Sequence, residues 1–306
     1  MAEREKETNW LRRIEIGVPF AWLIVFFLIP FVIVLKISFS TGAIAQPPYY
    51  PVFNLLADGL SGTLDKIRQF SARNYAFLFS DPLYINSYLS SLRIAAISTA
   101  LLLLIGYPIA YAMARAPKSI RPMLLMMIIL PFWTSFLIRV YAWIGILKPE
   151  GLLSGFLIWL GVIDTPLEIM NTEKAVFIGI VYSYLPFMVL PLYANLEKLD
   201  ATLLEAAADL GSPPFKAFWQ ITLPLSVPGI VAGCMLCFIP AVGEFVIPDL
   251  LGGSDTLMIG RTLWNEFFLN RDWPVSAAVA VLLLLVLVVP IVFYQRYQQR
   301  QLEADR

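Results

Sequence analysis

The chain has 306 residues, of which 59% are hydrophobic and only 14% are charged. An ordinary soluble domain carries about 25% charged residues, so this composition excludes an ordinary soluble domain. The 22 basic and 22 acidic side chains cancel, and no basic excess suggests nucleic acid as a partner. The composition predicts an all-α polytopic membrane protein.

Apolar runs predict where the chain crosses the membrane, because a spanning helix needs about 20 apolar residues. Six transmembrane helices are predicted, in chain order 16–35, 94–114, 122–147, 175–196, 225–250 and 273–295. The third contains Arg139 and the fifth contains Glu244. A seventh run, 151–163, has only 13 residues and two glycines, and is expected to be a re-entrant or surface helix.

The distribution of basic residues predicts the orientation. With the amino terminus inside, the 65 residues on the cytoplasmic side hold 12 of the 22 lysines and arginines, whereas the 102 residues on the outer side hold 7. The positive-inside rule then places both termini in the cytoplasm. The expected organisation is a cytoplasmic segment 1–15, a six-helix domain 16–294 and a cytoplasmic tail 295–306. The first run lacks a clear cleavage site, so it is expected to remain as a signal anchor.

The longest predicted segment outside the membrane is the outer one, 40–88. It is too long for a tight turn and is expected to pack as a small outer cap. Such a cap either receives a soluble, substrate-delivering protein or merely covers helix ends.

A polar island at 197–224, here called the coupling loop, separates two apolar runs and is expected in the cytoplasm. Asp200 is a predicted N-cap, 201–210 favours a short helix, and Gly211 followed by a serine and two prolines ends it. Small side chains at Ala206 and Ala207 allow another surface to approach closely, with the Glu205 carboxylate at the rim for a basic partner residue. The alternative is an ordinary amphipathic connector.

The coupling loop fits the pattern E-A-A, three residues, G, nine residues, I-x-L-P, with Glu205, Ala206, Ala207, Gly211, Ile221, Leu223 and Pro224 all in place. This spacing resembles the loop by which permeases of ATP-binding-cassette (ABC) importers dock onto their ATPase. Three further stretches, 130–147, 238–253 and 265–274, resemble permease subunits of bacterial polyamine importers, and in particular one of the two permeases of a putrescine importer.

The resemblance implies type I ABC importer permease architecture in the bacterial inner membrane. It also implies three kinds of partner: a second, different permease subunit, a cytoplasmic ATPase dimer and a periplasmic polyamine-binding protein. ATP and its Mg²⁺ would be held by the ATPase, since this chain has no G-x-x-x-x-G-K-[ST] loop. The chain itself would be a transport subunit and not an enzyme.

A polyamine cation crossing the membrane needs carboxylates, carbonyls or aromatic faces to replace lost hydration. The candidate substrate path comprises Glu244, Asp249, Arg139, Trp143, Tyr182 and Tyr184. Counted along straight helices, Arg139 and Glu244 lie within about 3 Å of the same depth. They are expected to form a buried ion pair, unless Glu244 contacts substrate directly or the pair opens during transport.

Two further patterns have a packing and a functional interpretation. Cys234 and Cys237 form C-x-x-C inside the fifth span, and without histidine or further cysteine they are expected to be packing residues, with no metal site. Trp143 shares a helix face with Phe132 and Phe136, which predicts either a pore-lining stripe or ordinary packing.

Two other classes of function fit the sequence less well. A secondary carrier does not account for the coupling loop, and an intramembrane enzyme lacks histidine or paired acids in the spans. Another small cationic or polar solute remains an alternative substrate.

Overall fold

The computed structural model describes residues 15–53 and 59–304. The predicted cytoplasmic segment 1–15, apart from Glu15, lies outside the described residues, as do the last two residues of the predicted tail.

The described chain is mostly helical, with one two-stranded antiparallel hairpin. The elements are α1 (Glu15–Ser38), β1 (Thr41–Gly42), β2 (Tyr49–Tyr50), α2 (Gly59–Ile67), α3 (Arg73–Ser80), α4 (Pro82–Arg115), α5 (Arg121–Trp133), α6 (Phe136–Leu147), α7 (Leu152–Trp159), α8 (Glu173–Leu196), α9 (Thr202–Asp209), α10 (Pro214–Val242), α11 (Val246–Leu251), α12 (Ile259–Trp264) and α13 (Trp273–Ala304). The described residues contain three π-helical turns, at Ile24–Leu28, Phe218–Thr222 and Asn265–Leu269.

Five helices in the described residues, α1, α4, α8, α10 and α13, are long and apolar enough to cross a membrane. A sixth span results if α5 and the segment Phe136–Trp159, which are bent by 89° at a short break, count as one. The predicted all-α membrane architecture is therefore confirmed, with the third span broken where the sequence predicted a straight helix. The short run predicted at 151–163 contains α7.

The fifth predicted span, 225–250, is wrong at both ends. Helix α10 begins at Pro214, inside the coupling loop, and ends at Val242. Apolarity alone does not reveal where α10 ends, because Glu244 is the only charge among the apolar residues around the break and α11 begins at Val246. As a consequence Glu244 lies in a helix break and not within a helix.

The chain divides into two compact units. The first consists of the described residues up to Pro82 together with Leu263–Val286. In it, the amide nitrogen of Asn74 donates to the carbonyls of Ser38 and Ser40, both at 2.8 Å, which ties α3 to the end of α1. The ammonium group of Lys36 lies 4.6 Å from the ring centroid of Tyr49 in β2. The predicted cap segment thus contains a hairpin and two short helices.

The second unit consists of Leu83–Thr262 and the residues from Leu287 onward. Its core packs α4, α8 and α10 around Met188, which is fully buried. A Cβ atom added to Gly106 or to Gly233 would lie 2.8 Å from the Met188 side chain. These glycines let three helices approach closely, as small residues do in membrane bundles. Cys237 is buried in the same cluster, which confirms the predicted packing role.

Candidate functional site

Helix α9 forms the exposed part of the coupling loop and is fixed at its start by Asp200. The Asp200 carboxylate accepts a hydrogen bond of 3.0 Å from the backbone N–H of Thr202, the first residue of α9. The predicted N-cap is one residue off, because Ala201 holds that position and Asp200 precedes it. This backbone hydrogen bond lowers the pKa of Asp200 below its ordinary value, because it stabilises the charged form.

The end of α9 is fixed by Gly211, whose φ of +76° lies in the left-handed region. Its N–H donates to the carbonyl of Ala208 at 2.8 Å, and the N–H of Ser212 donates to the carbonyl of Ala207 at 2.9 Å. The two bonds form a Schellman motif, which satisfies carbonyls at the helix end and favours glycine at this position. The glycine of the E-A-A pattern therefore shapes the turn that returns the chain to α10.

Apolar side chains of α9 lie on more than one face of the helix. Ala207 is buried against the rest of the subunit, whereas Leu210 is 88% exposed. Leu203 and Leu204 line cavities of about 430 and 480 Å³ on different sides of the helix. Glu205 is exposed. The helix is therefore open to solvent on several sides and contacts its own subunit through a narrow strip.

Small and apolar residues of the E-A-A pattern gather at one concavity. The 430 Å³ cavity between α9 and the start of α10 is lined by Ala206, Ala207, Gly211 and Ile221. Leu223 packs on the three-helix core, and Pro224 is exposed. The I-x-L-P residues lie within α10, so the second half of the coupling loop is helical.

Glu244 occupies the break between α10 and α11 and is only 9% exposed. One carboxylate oxygen accepts a hydrogen bond of 2.6 Å from the Tyr184 hydroxyl. The other oxygen accepts from the backbone N–H groups of Val246 at 3.1 Å and Ile247 at 3.4 Å. Glu244 thus supplies acceptors to the first N–H groups of α11, which the helix itself cannot satisfy.

Gly260 in α12 packs closely against the backbone of the same break. A Cβ atom at this position would lie 2.4 Å from the carbonyl oxygen of Gly243 and 2.7 Å from that of Glu244. This contact could not be predicted from the sequence, because a lone glycine carries no signal of what approaches it.

Arg139 does not form the predicted ion pair with Glu244. Its guanidinium donates to the carbonyl of Pro131 at 2.6 Å and lies 5.1 Å from the ring centroid of Phe132. The prediction is wrong for this structure because it assumed straight helices, whereas the chain bends between α5 and α6. The arginine reaches back across that bend to a carbonyl near the end of α5. Its Nε atom is buried and has no hydrogen-bond partner among the described residues.

The remaining predicted path residues form two separate pairs. Trp143 in α6 packs edge-on against Tyr182 in α8, with ring centroids 5.4 Å apart. Asp249 in α11 accepts from Arg261 at 3.1 Å and keeps half of its side chain exposed. Arg261, the partner of Asp249, was not predicted. Phe132 lies in α5 and packs on α8, so the predicted continuous stripe with Trp143 is interrupted by the bend.

Comparison with known proteins places these features in a family. Residues 103–303 match the family described as binding-protein-dependent transport system inner membrane component. The chain is 41% identical to the spermidine/putrescine transport system permease protein PotB of Haemophilus influenzae over 94% of each chain. It is 48% identical to the PotB of Escherichia coli K12 over 74% of this chain and 82% of that protein.

Solved structures agree on the fold. A chain in the crystal structure of a bacterial alginate ABC transporter, in complex with an alginate pentasaccharide-bound periplasmic protein, superimposes with a TM-score of 0.72. The match covers 97% of this chain and 96% of that chain at 15% identity, which bears on the fold alone. The family match and the two relatives show that this chain belongs to the binding-protein-dependent transport system inner membrane components, the permease subunits of ABC importers.

Proposed function

We propose that this chain is a permease subunit of an ATP-driven polyamine importer, with putrescine as the expected substrate. The observation that carries the proposal is the identity of 41% and 48% to two permeases named for spermidine and putrescine transport. The chain would form part of the path through the inner membrane and would not itself be an enzyme. ATP and Mg²⁺ would be bound by a separate ATPase dimer.

The coupling loop is the proposed ATPase contact. Support comes from the geometry of α9, whose first N–H is bound by Asp200, whose end is closed at Gly211 and whose surface is mostly exposed. A short rigid helix of this kind suits a groove on a partner protein. The exposed Glu205 carboxylate would meet a basic residue of the ATPase.

The proposed assembly contains this chain, a second and different permease, the ATPase dimer and a periplasmic polyamine-binding protein. Both termini would lie in the cytoplasm, on the side of the coupling loop, as the distribution of lysine and arginine favours. ATP binding and hydrolysis would drive the pore between outward-facing and inward-facing states. The binding protein would deliver substrate to the outward-facing state.

Within the substrate path, we assign different roles to the two acidic residues. Glu244 is nearly buried and already accepts three hydrogen bonds, so its proposed role is to hold the break in place. Asp249 keeps a half-exposed side chain, and Tyr182 presents 38% of its surface. A carboxylate and an aromatic face are the groups that attract a dication, so these two are the better candidates for direct contact.

Uptake of labelled putrescine tests the substrate and the energy source together. Cells with and without the chain are compared while an uncoupler collapses the membrane potential and internal ATP is maintained. Chain-dependent uptake that persists supports ATP-driven import, and excess unlabelled spermidine reports whether both polyamines compete. Uptake lost with the potential would favour an ion-coupled carrier, and no chain-dependent uptake would remove putrescine as the substrate.

Docking is tested separately by the substitution Ala206→Trp at an exposed alanine of the E-A-A pattern, with Ala201→Trp as the matched exposed control at the start of the loop. The expected result is that the ATPase co-purifies with the control and with the wild type, and is lost from Ala206→Trp. Wild-type association in Ala206→Trp would refute the docking assignment.

A further inference from the structure

The first nine residues of α10, 214–222, present three different faces. One face holds the helix to the subunit: Ala217 and Thr222 are buried, and the Phe218 ring packs edge-on against Tyr107 and Tyr111 of α4 at 5.7 and 6.0 Å. A second face turns toward α9, where Lys216 and Gln220 line the 430 Å³ cavity.

The third face exposes two aromatic side chains. Phe215 is 75% exposed and Trp219 is 54% exposed, and their ring centroids lie 6.2 Å apart. The spacing of four residues places both rings on one side of the helix. Two large exposed aromatic rings in contact with each other form an apolar patch beside α9.

The length of α10 indicates what surrounds this patch. The helix has 29 residues, which at about 1.5 Å per residue is about 43 Å, well beyond the hydrocarbon core of about 30 Å. Lys216 is the last charge before Glu244, and Gln220 is the last strongly polar side chain. The stretch from Ile221 to Val242 alone spans about 33 Å, so it fills the core. The preceding residues therefore lie at the level of the lipid headgroups.

We propose that Phe215 and Trp219 form an interfacial anchor that docks on the lipid bilayer and fixes the height of α9 above the membrane. Aromatic rings, and tryptophan above all, are enriched at this depth because the ring is apolar while the indole N–H remains hydrated. Only 210–213 separate α9 from α10, and the Gly211 and Ser212 hydrogen bonds stiffen that connection. A shift of the anchor is therefore transmitted to α9.

Lipid is favoured over a protein occupant by the arrangement of the faces. The 430 Å³ cavity, which the second face lines through Lys216, is also lined by the alanines and the glycine of the E-A-A pattern. Phe215 and Trp219 lie outside this cavity. The anchor itself requires only the bilayer, so lipid contact at Phe215 and Trp219 does not depend on which solute is transported, whereas its role in positioning α9 rests on the proposed ATPase contact.

Depth measurements test the anchor directly. The chain has two cysteines, so Cys234→Ala with Cys237→Ala gives a background for single spin labels. Labels at Phe215→Cys and Trp219→Cys are compared with controls at Lys216→Cys and Gln220→Cys, in the assembled transporter in vesicles of phosphatidylethanolamine and phosphatidylglycerol. We expect the aromatic positions to be severalfold less accessible to a water-soluble nickel reagent, and more accessible to oxygen, than the controls.

The measurement is repeated after the ATPase is removed. Unchanged lipid contact at 215 and 219 supports the anchor. Labels that are shielded from lipid in the complex and become exposed to water when the ATPase leaves would assign the patch to the ATPase and overturn the proposal, as would exposure to water in both states.

Function of the anchor is tested by Phe215→Ala with Trp219→Ala. Transport is expected to fall severalfold while ATPase co-purification is unchanged, and Phe215→Tyr with Trp219→Tyr, which keeps interfacial aromatic rings, is expected to restore most of it. Wild-type transport by the double alanine variant would refute the role in positioning α9.

Discussion

The hydrogen bond between Tyr184 and Glu244 gives the sharpest test of how the break between α10 and α11 is held. Tyr184→Phe removes one donor from a carboxylate that is 9% exposed and leaves the two backbone donors in place. A hydrogen bond to a charged group contributes about 1.5–3 kcal/mol. Because the carboxylate stays partly satisfied, we expect a loss of about 2 kcal/mol, or about 30-fold in the folding equilibrium.

The assay is the free energy of unfolding of the purified subunit in mixed detergent, measured for Tyr184→Phe, Glu244→Gln and the double variant. The matched control is Tyr182→Phe. Tyr182 lies two residues away in α8, and its hydroxyl has no hydrogen-bond partner among the described residues. Its loss is expected to stay within about 0.5 kcal/mol.

The double-mutant cycle decides whether the two side chains act together. A coupling free energy well above about 0.5 kcal/mol is expected for residues in direct contact. Additive effects, or an equal loss in Tyr182→Phe, would refute the hydrogen bond as the stabilising interaction. Abolished transport by a well-folded Glu244→Gln variant would instead favour direct contact between Glu244 and substrate.

Three further predictions concern packing, backbone and pH. Gly233→Leu places a side chain where Met188 already lies, so it should destabilise the subunit by about 1–3 kcal/mol, and Met188→Ala in the same chain should recover part of the loss in Tm. The added methyl group of Gly211→Ala meets no atom within 4 Å, but an alanine is strained at φ +76°. Hydrogen exchange at the end of α9 should therefore become faster by an amount that corresponds to about 1 kcal/mol. Exchange at the wild-type rate would contradict the strain. Because its pKa is lower in the folded chain, Asp200 should stabilise the start of α9 above the unfolded pKa and lose this effect as pH falls through the folded pKa. Hydrogen exchange at the Thr202 amide should show this acid-dependent fraying in the wild type. The same fraying in Asp200→Ala would argue against the Asp200–Thr202 hydrogen bond as its cause.

Local patterns in the chain were sufficient to predict much of the structure of the coupling loop. Asp200 has a short polar side chain that accepts a neighbouring N–H, and Gly211 adopts a backbone angle that other residues resist. Both effects act over a few residues, so spacing alone predicts the short helix and its two ends. The same reasoning failed for the start of α10, because a proline pair that ends one helix also begins the next.

Long-range partners were beyond the reach of the sequence. Residue counting placed Arg139 and Glu244 at the same depth, yet they bind different partners. Arg139 binds the carbonyl of Pro131 across a bend, and Glu244 binds the hydroxyl of Tyr184 in another helix. The pairing of Asp249 with Arg261 and the approach of Gly260 to the break are likewise contacts between segments.

The sequence by itself determined the membrane class, the apolar segments and the coupling loop, because hydropathy, charge placement and turn chemistry are set by neighbouring residues. Only the tertiary structure decided which charges meet and which aromatic rings remain exposed. The bend after α5 and the helix break after α10 change the direction of a side chain without changing its place in the chain. A contact across helices depends on that direction, and no local pattern encodes it.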